Sequence, residues 1–170
     1  TNQAPSPAPV GLGWHPYFAK RAGARIKFAA ESRWEMSADK LPTSLQAASG
    51  LSVACTDLEV DHCFEGWSGS AQLRDDFICA RIESNLSRLV VYTKPSIDCI
   101  AIEPVSHANN AINLAGANAA ELGVDPARED RGHVVLEAGV FERVGDAGRA
   151  VGGGDLLDVH ECGLVAGDVP

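Results

Sequence analysis

No apolar run in this 170-residue chain is long enough to cross a bilayer, so a membrane-spanning helix is excluded as its organising element. No segment carries a helical stripe of three clear turns, which argues against helical and α/β folds. No repeat of fixed period is visible. No block of like charge occurs either. Lys and Arg number 14 against 23 Asp and Glu, a formal net charge of −9. That balance argues against nucleic acid and against an anionic membrane surface as partners. Cys55, Cys63, Cys79, Cys99 and Cys162 are odd in number and contain no C-x-x-C spacing. They lack the close pairing that a zinc site wants and read as free, buried thiols of a reducing, cytoplasmic compartment. An initiator methionine and a signal peptide are also missing. Thr1-Asn2-Gln3 reads like the interior of a longer chain.

What is present is a chain of ordinary globular composition, with 45% hydrophobic and 22% charged residues, long enough to bury one core. Short strands at close spacing, broken by Gly, Pro, Asn and Asp, predict an antiparallel all-β architecture. Period-two alternation places strands at 24–31, 32–37, 60–64, 72–73, 77–83, 89–93, 97–103 and 133–138. Residues 39–43 read as a turn and 65–70 as a tight connection. Residues 107–131 read as a long loop with at most one helical turn, near 118–122. Residues 1–144 form the β-sandwich portion. Residues 145–170 form a Gly-rich segment, either a loose tail or the holder of one strand near 156–159.

Three segments carry candidate chemistry. In Ile102-Glu103-Pro104-Val105-Ser106-His107-Ala108-Asn109-Asn110, an apolar strand runs into a carboxylate and then a proline. Proline lacks a backbone donor and biases the residue before it towards extended backbone, so the ladder is expected to end at Glu103, at the lip of a sheet. The plain alternative is a solvated glutamate at a strand end. In Gly11-Leu12-Gly13-Trp14-His15-Pro16-Tyr17-Phe18, aromatics frame a histidine on both sides. Such an imidazole is either a proton donor held still and partly desolvated, or a histidine packed in an aromatic cluster. In Val60-Asp61-His62-Cys63-Phe64, alternation turns Asp61 and His62 to opposite faces, which gives His62 a structural role.

Together these strings resemble the aldose 1-epimerase (galactose mutarotase) family: 11–18, 60–69 and 102–113, in the family's order, with Leu41-Pro42-Thr43 like a family turn. The resemblance spans roughly residues 1–138. It implies a galactose mutarotase-like antiparallel β-sandwich with a free sugar in an open groove, and an isomerase that interconverts the α and β anomers of an aldohexose such as galactose or glucose. By that analogy Glu103 is the general base and His15 the general acid, on opposite sides of one pyranose ring. Asp61 holds sugar hydroxyls. Trp14 and Trp67 are candidates to cover an apolar sugar face, against a plain reading as core tryptophans. His107, in the loop after Glu103, is a candidate groove residue or a solvated histidine. The chemistry needs no metal, nucleotide or other cofactor.

The departures are also legible. Family members are about twice this length, and their N-terminal half, with its own substrate contacts, has no counterpart here. A half sandwich is expected to expose strand edges that invite self-association. The end of the chain matches the family only loosely. Two alternatives therefore stand beside the isomerase: a non-catalytic carbohydrate-binding or structural domain, and a hexose-phosphate epimerase. The last would need arginines converging on a phosphate. Arg21, Arg25, Arg74, Arg81 and Arg88 exist, but none is near a motif.

Overall fold

The computed structural model describes residues 11–113 and 134–140. Within them the chain forms β1 (Tyr17–Ala19), β2 (Arg25–Phe28), β3 (Ser32–Met36), β4 (Pro42–Ala47), β5 (Leu51–Ala54), β6 (Val60–Glu65), β7 (Ser70–Arg74), β8 (Ile78–Ser84), β9 (Arg88–Thr93), β10 (Cys99–Val105) and β11 (Val134–Val140). A single 3-10 turn, Ala111–Asn113, is the only helical element among the described residues. The strands make two antiparallel sheets, ordered β1-β10-β9-β6-β3-β4 and β11-β8-β7-β2-β5. The expected all-β sandwich is the observed architecture.

Alternation builds the core. In β2, Arg25 and Lys27 face water while Ile26 and Phe28 face inward. They meet Phe64, Leu89, Val91, Ile100 and Ile102, which project from the first sheet. The second sheet adds Ala71, Leu73 and Ile82. Phe28 and Phe64 cross edge to face at 4.9 Å and 80°, an arrangement worth about 0.5–1.5 kcal/mol beyond its burial. Because one face of the first sheet is committed to this core, the alternate residues of β6, β9 and β10 must point the other way. That outer face carries the site.

Several boundaries differ from expectation for physical reasons. Strands β1, β4 and β5 lie at sheet edges and were not foreseen. Apart from Pro42, β4 is exposed on both faces, so it shows no period-two signal and exists through its pairing with β3. The expected 39–43 turn is shorter, because β4 already begins at Pro42. Gly50, at φ 82, lets the chain pass from β4 to β5 tight against the Phe28 carbonyl, where a side chain would collide.

The ladder does not end at Glu103. It continues through Pro104 to Val105, with Pro104 opposite Leu89. Ile102 N donates to Pro16 O at 3.3 Å and Pro104 O accepts from Trp14 N at 3.0 Å. The backbone polar groups of 102 and 104 therefore face the edge segment, not β9. The donor that proline lacks falls on the side where β1 has already stopped, so the β9 ladder is not interrupted. The expected helical turn at 118–122 and everything assigned to 145–170 lie outside the described residues.

Candidate active site

Register brings the candidate residues together across distant sequence. Tyr17 pairs with Ala101, and Gly13 bridges Val105 in the same antiparallel register. His15 therefore sits directly opposite Glu103 on the neighbouring strand. Leu12 N donates to Ser106 Oγ at 2.8 Å and Ser106 N to Leu12 O at 2.8 Å. These bonds pin the aromatic-framed segment along the end of β10.

On the outer face, three cross-strand rows follow from the pairing of β10, β9 and β6. One row is His15, Glu103, Val90 and Cys63. The next is Tyr17, Ala101, Tyr92 and Asp61. The third is Val105, Arg88 and Glu65. Glu103 and Asp61 are separated by β9 and by one row, about 10 Å across the sheet and about 7 Å along it at backbone level.

His15 Nε2 lies 3.4 Å from Glu103 Oε1, with the imidazole side chain 61% exposed and the carboxylate side chain 11% exposed. Burial pushes the Glu103 carboxyl up to about 7; His15 opposes that shift and the Asp61 charge adds to it. Tyr17 stacks at a tilt on His15, with centroids 4.9 Å apart. Its phenol is raised above the ordinary range by burial first and by the Glu103 carboxylate second. His15 and Glu103 are cross-strand neighbours on one wall, in contact rather than a sugar's width apart. Register explains it, because residues directly opposite on adjacent strands have Cβ atoms only about 5 Å apart.

Asp61 lies on the same outer face as Glu103 and His62 turns away from it, as alternation predicted. His62 Nδ1 lies 2.9 Å from the Trp34 carbonyl oxygen, and its ring approaches Phe64 edge to face. Asp61 Oδ2 is held at 3.1 Å by Lys40 Nζ, from the turn between β3 and β4.

The far end of this face is covered. Glu65 Oε1 accepts from Arg88 Nε and from Trp34 Nε1, both at 2.8 Å. Arg88 Nη1 donates to Ser106 O at 2.8 Å. Trp34 packs on Cys63, Val90 and Val105 beneath it, and on Ala108 and Ala111 of the following loop. Burial, with the Glu65 charge second, pushes the Cys63 thiol up to about 12. Sequence reasoning found no arginine near a motif, but Arg88 belongs to this face. Its place was hidden because only register sets it beside Glu65 and Val105. Tyr92 and Lys40 were missed for the same reason.

The remaining candidates separate. Trp14, the residue before His15, is 41% exposed. Trp67 is a correction. It is buried in the core between the sheets and donates Nε1 to Ser70 O at 3.2 Å, so it cannot cover a sugar in this groove. The reason is local: the connection 66–69 carries the chain from the first sheet to the second and directs the indole between them. His107 is half-buried against Gly11, where any side chain would run into its ring, with Nδ1 3.4 Å from Ser106 Oγ. Burial, then the Arg88 charge, lowers its basicity. Among the described residues no three His, Cys, Asp or Glu side chains converge as a metal would require. Cys55, Cys63, Cys79 and Cys99 are free thiols, the first two buried. No helix of the described residues is long and apolar enough to cross a membrane.

Comparison with known proteins supplies a likeness of fold. No protein-family model and no curated protein matches the chain. It superposes on a protein of Escherichia coli K12 provisionally described as an aldose 1-epimerase, with a TM-score of 0.64 and 20% identity over 81% of this chain and 52% of that one. It also superposes on the Slr1438 protein of Synechocystis sp. PCC 6803, with a TM-score of 0.55 and 22% identity over 76% of this chain and 45% of that one. The chain thus spans about half the length of these neighbours. The expected resemblance to aldose 1-epimerases holds at the level of the fold.

Proposed function

We propose that this groove performs the acid–base chemistry of an aldose 1-epimerase on a free aldohexose, galactose or glucose being the simplest cases. One observation carries the reading: a desolvated carboxylate with a pKa of about 7 lies within 3.4 Å of an exposed imidazole. A general base works best when its pKa is near the operating pH.

Side-by-side placement suits this reaction. The hydroxyl oxygen O1 and the ring oxygen O5 are both bonded to C1, so their partners need be only a few ångströms apart. Glu103 takes the proton from O1. The C1–O5 bond breaks, its electron pair goes to O5, and O5 takes a proton from His15. C1 and O1 become the aldehyde. Rotation about C1–C2 presents the other carbonyl face. O5 then attacks C1, returning its proton to His15, while Glu103 returns the first proton to O1. Asp61, across the groove, accepts hydrogen bonds from hydroxyls away from C1. His15, 61% exposed, has the freedom to swing aside and admit the sugar.

Among the described residues, the arginines favour a free sugar over a sugar phosphate: Arg33, on the first sheet, is paired with Glu35. Arg25, Arg74 and Arg81 belong to the second sheet. Arg21 is bound to Asp75, and Arg88 is committed to Glu65 and the Ser106 carbonyl.

Polarimetry of freshly dissolved α-galactose tests the reading. The chain is expected to speed equilibration, and Glu103→Gln or His15→Asn to remove roughly 10²–10⁴-fold of that rate. Sugar binding without acceleration would discard the enzyme in favour of a carbohydrate-binding module.

A further inference from the structure

We infer that Lys40 is a sugar-binding residue of this groove, pairing with Asp61 so that ammonium and carboxylate together read two neighbouring hydroxyls of the aldose. The inference rests on the reading of the groove as a sugar site and adds a residue that no motif marked.

The first observation is conformational. Lys40 sits at φ 61 in the turn that joins β3 to β4. Glycine or asparagine adopts this left-handed backbone most readily, and a long side chain there carries a steric penalty. The turn itself is closed by backbone bonds that any residue could make: Lys40 N to Ser37 O at 3.0 Å and Ser37 N to Leu41 O at 2.8 Å. Nothing in the turn requires a lysine. An unfavourable conformation kept at a groove rim points towards the side chain as the reason.

The second observation is where the side chain goes. Nζ reaches the Asp61 carboxylate at 3.1 Å while the lysine stays 68% and the aspartate 31% exposed. A pair this open contributes little to stability, which removes the plain explanation of a structural clasp. The contact occupies Oδ2 of Asp61 and leaves Oδ1 to accept. An ammonium has three N–H donors, so two remain. One sugar hydroxyl can donate to Oδ1 while the oxygen of its neighbour accepts from Nζ. The pair also stands on the opposite side of β9 from Glu103, whose proton affinity Asp61 influences. A ring gripped by its hydroxyls at Lys40 and Asp61 therefore extends towards His15 and Glu103.

The test compares Lys40→Gly, Lys40→Asn and Lys40→Arg with the unaltered chain, using galactose. Glycine and asparagine suit the turn and lack the charge, so both variants are expected to melt no earlier than the parent. Their KM is expected to rise roughly three- to fivefold, the scale of one half-exposed charge contact, with kcat nearly unchanged. Lys40→Arg, which keeps a cation and N–H donors, is expected to restore most of the affinity. An unchanged KM in an active protein overturns the inference and leaves the epimerase reading intact. If the parent equilibrates no sugar, galactose affinity is read by NMR titration. Binding weakened three- to fivefold by the glycine and asparagine variants retains Lys40 and discards the enzyme. Binding that is absent, or indifferent to position 40, discards the inference.

Discussion

The outer faces of the two sheets are made by the same alternation and end up chemically opposite. On the second sheet, Lys27, Gln72 and Arg81 form one cross-strand row. They line an open depression of about 580 Å³ with Ser49, Ser52, Ser68 and Ser70. Its charges are solvated: Arg81 meets Glu83 at 2.5 Å with side chains 52% and 39% exposed. On the first sheet, Glu103, Arg88 and Glu65 occupy equivalent outward positions and are largely covered. The difference is a roof. Residues 11–16 extend the sheet alongside β10, Ala108 and Ala111 pack with Trp34 over Cys63, Val90 and Val105, and both segments are tied down through Ser106. Alternation puts a charged residue outside, and the roof decides whether water reaches it. The open hollow on the second sheet is therefore lined by solvated charges, and the covered carboxylate lies on the other face.

The sharpest way to break this comparison is to cut an ion pair on each face. Arg88→Met leaves the largely covered Glu65 with only the Trp34 indole as donor and frees the Ser106 carbonyl. A broken buried pair costs about 3–5 kcal/mol. Arg81→Met, on the solvated face, is expected to cost about 0–1 kcal/mol. Urea denaturation of the two variants measures the gap. Equal losses would mean that the first face is as wet as the second.

A smaller effect comes from Glu103 itself. Its folded pKa, about 7, lies above the ordinary carboxylate value of 4.5. The folded state therefore holds this proton more tightly than the unfolded chain does. The stability tied to it is fully present below about pH 4.5 and is lost as pH rises through about 7. The loss is on the order of 3 kcal/mol, because each tenfold difference in proton affinity is worth about 1.4 kcal/mol. Glu103→Gln removes the linkage. Its stability relative to the parent is expected to increase from pH 5 to pH 8, read as a widening difference in melting temperature. A parallel pair of curves would place the carboxylate in water.

These contrasts also mark how far the sequence was legible. Strands β2, β3, β6, β8, β9 and β10 declared themselves as short apolar or alternating runs between turn residues. The edge strands β1, β4 and β5 did not, because pairing rather than burial makes them. His15, Asp61 and Glu103 stood out within short strings that resemble a family. Lys40, Tyr92 and the Glu65–Arg88 pair did not, because each acquires meaning only from a partner on another strand. Cross-strand register is a property of the folded sheet. Trp67 misled for a related reason: its string was informative, but the direction of its side chain depends on which sheet the chain is about to join.

The smallest expected effect separates the two tryptophans that the strings offered on equal terms. Trp67 is 6% exposed in the core and Trp14, next to His15 in the chain, is 41% exposed. Truncating a buried tryptophan costs about 3–5 kcal/mol, so Trp67→Ala is a stability variant and says nothing about sugar. Trp14 is held mainly through its backbone, by the bond from its amide to the Pro104 carbonyl, and alanine retains that bond. Trp14→Ala is therefore expected to shift stability by about 0.5 kcal/mol or less. If its ring covers the sugar, KM should rise a few-fold with the melting curve unmoved. Should the melting curve fall instead, the indole belongs to the roof over Glu103, and the face it was thought to offer the sugar is already spent on the protein.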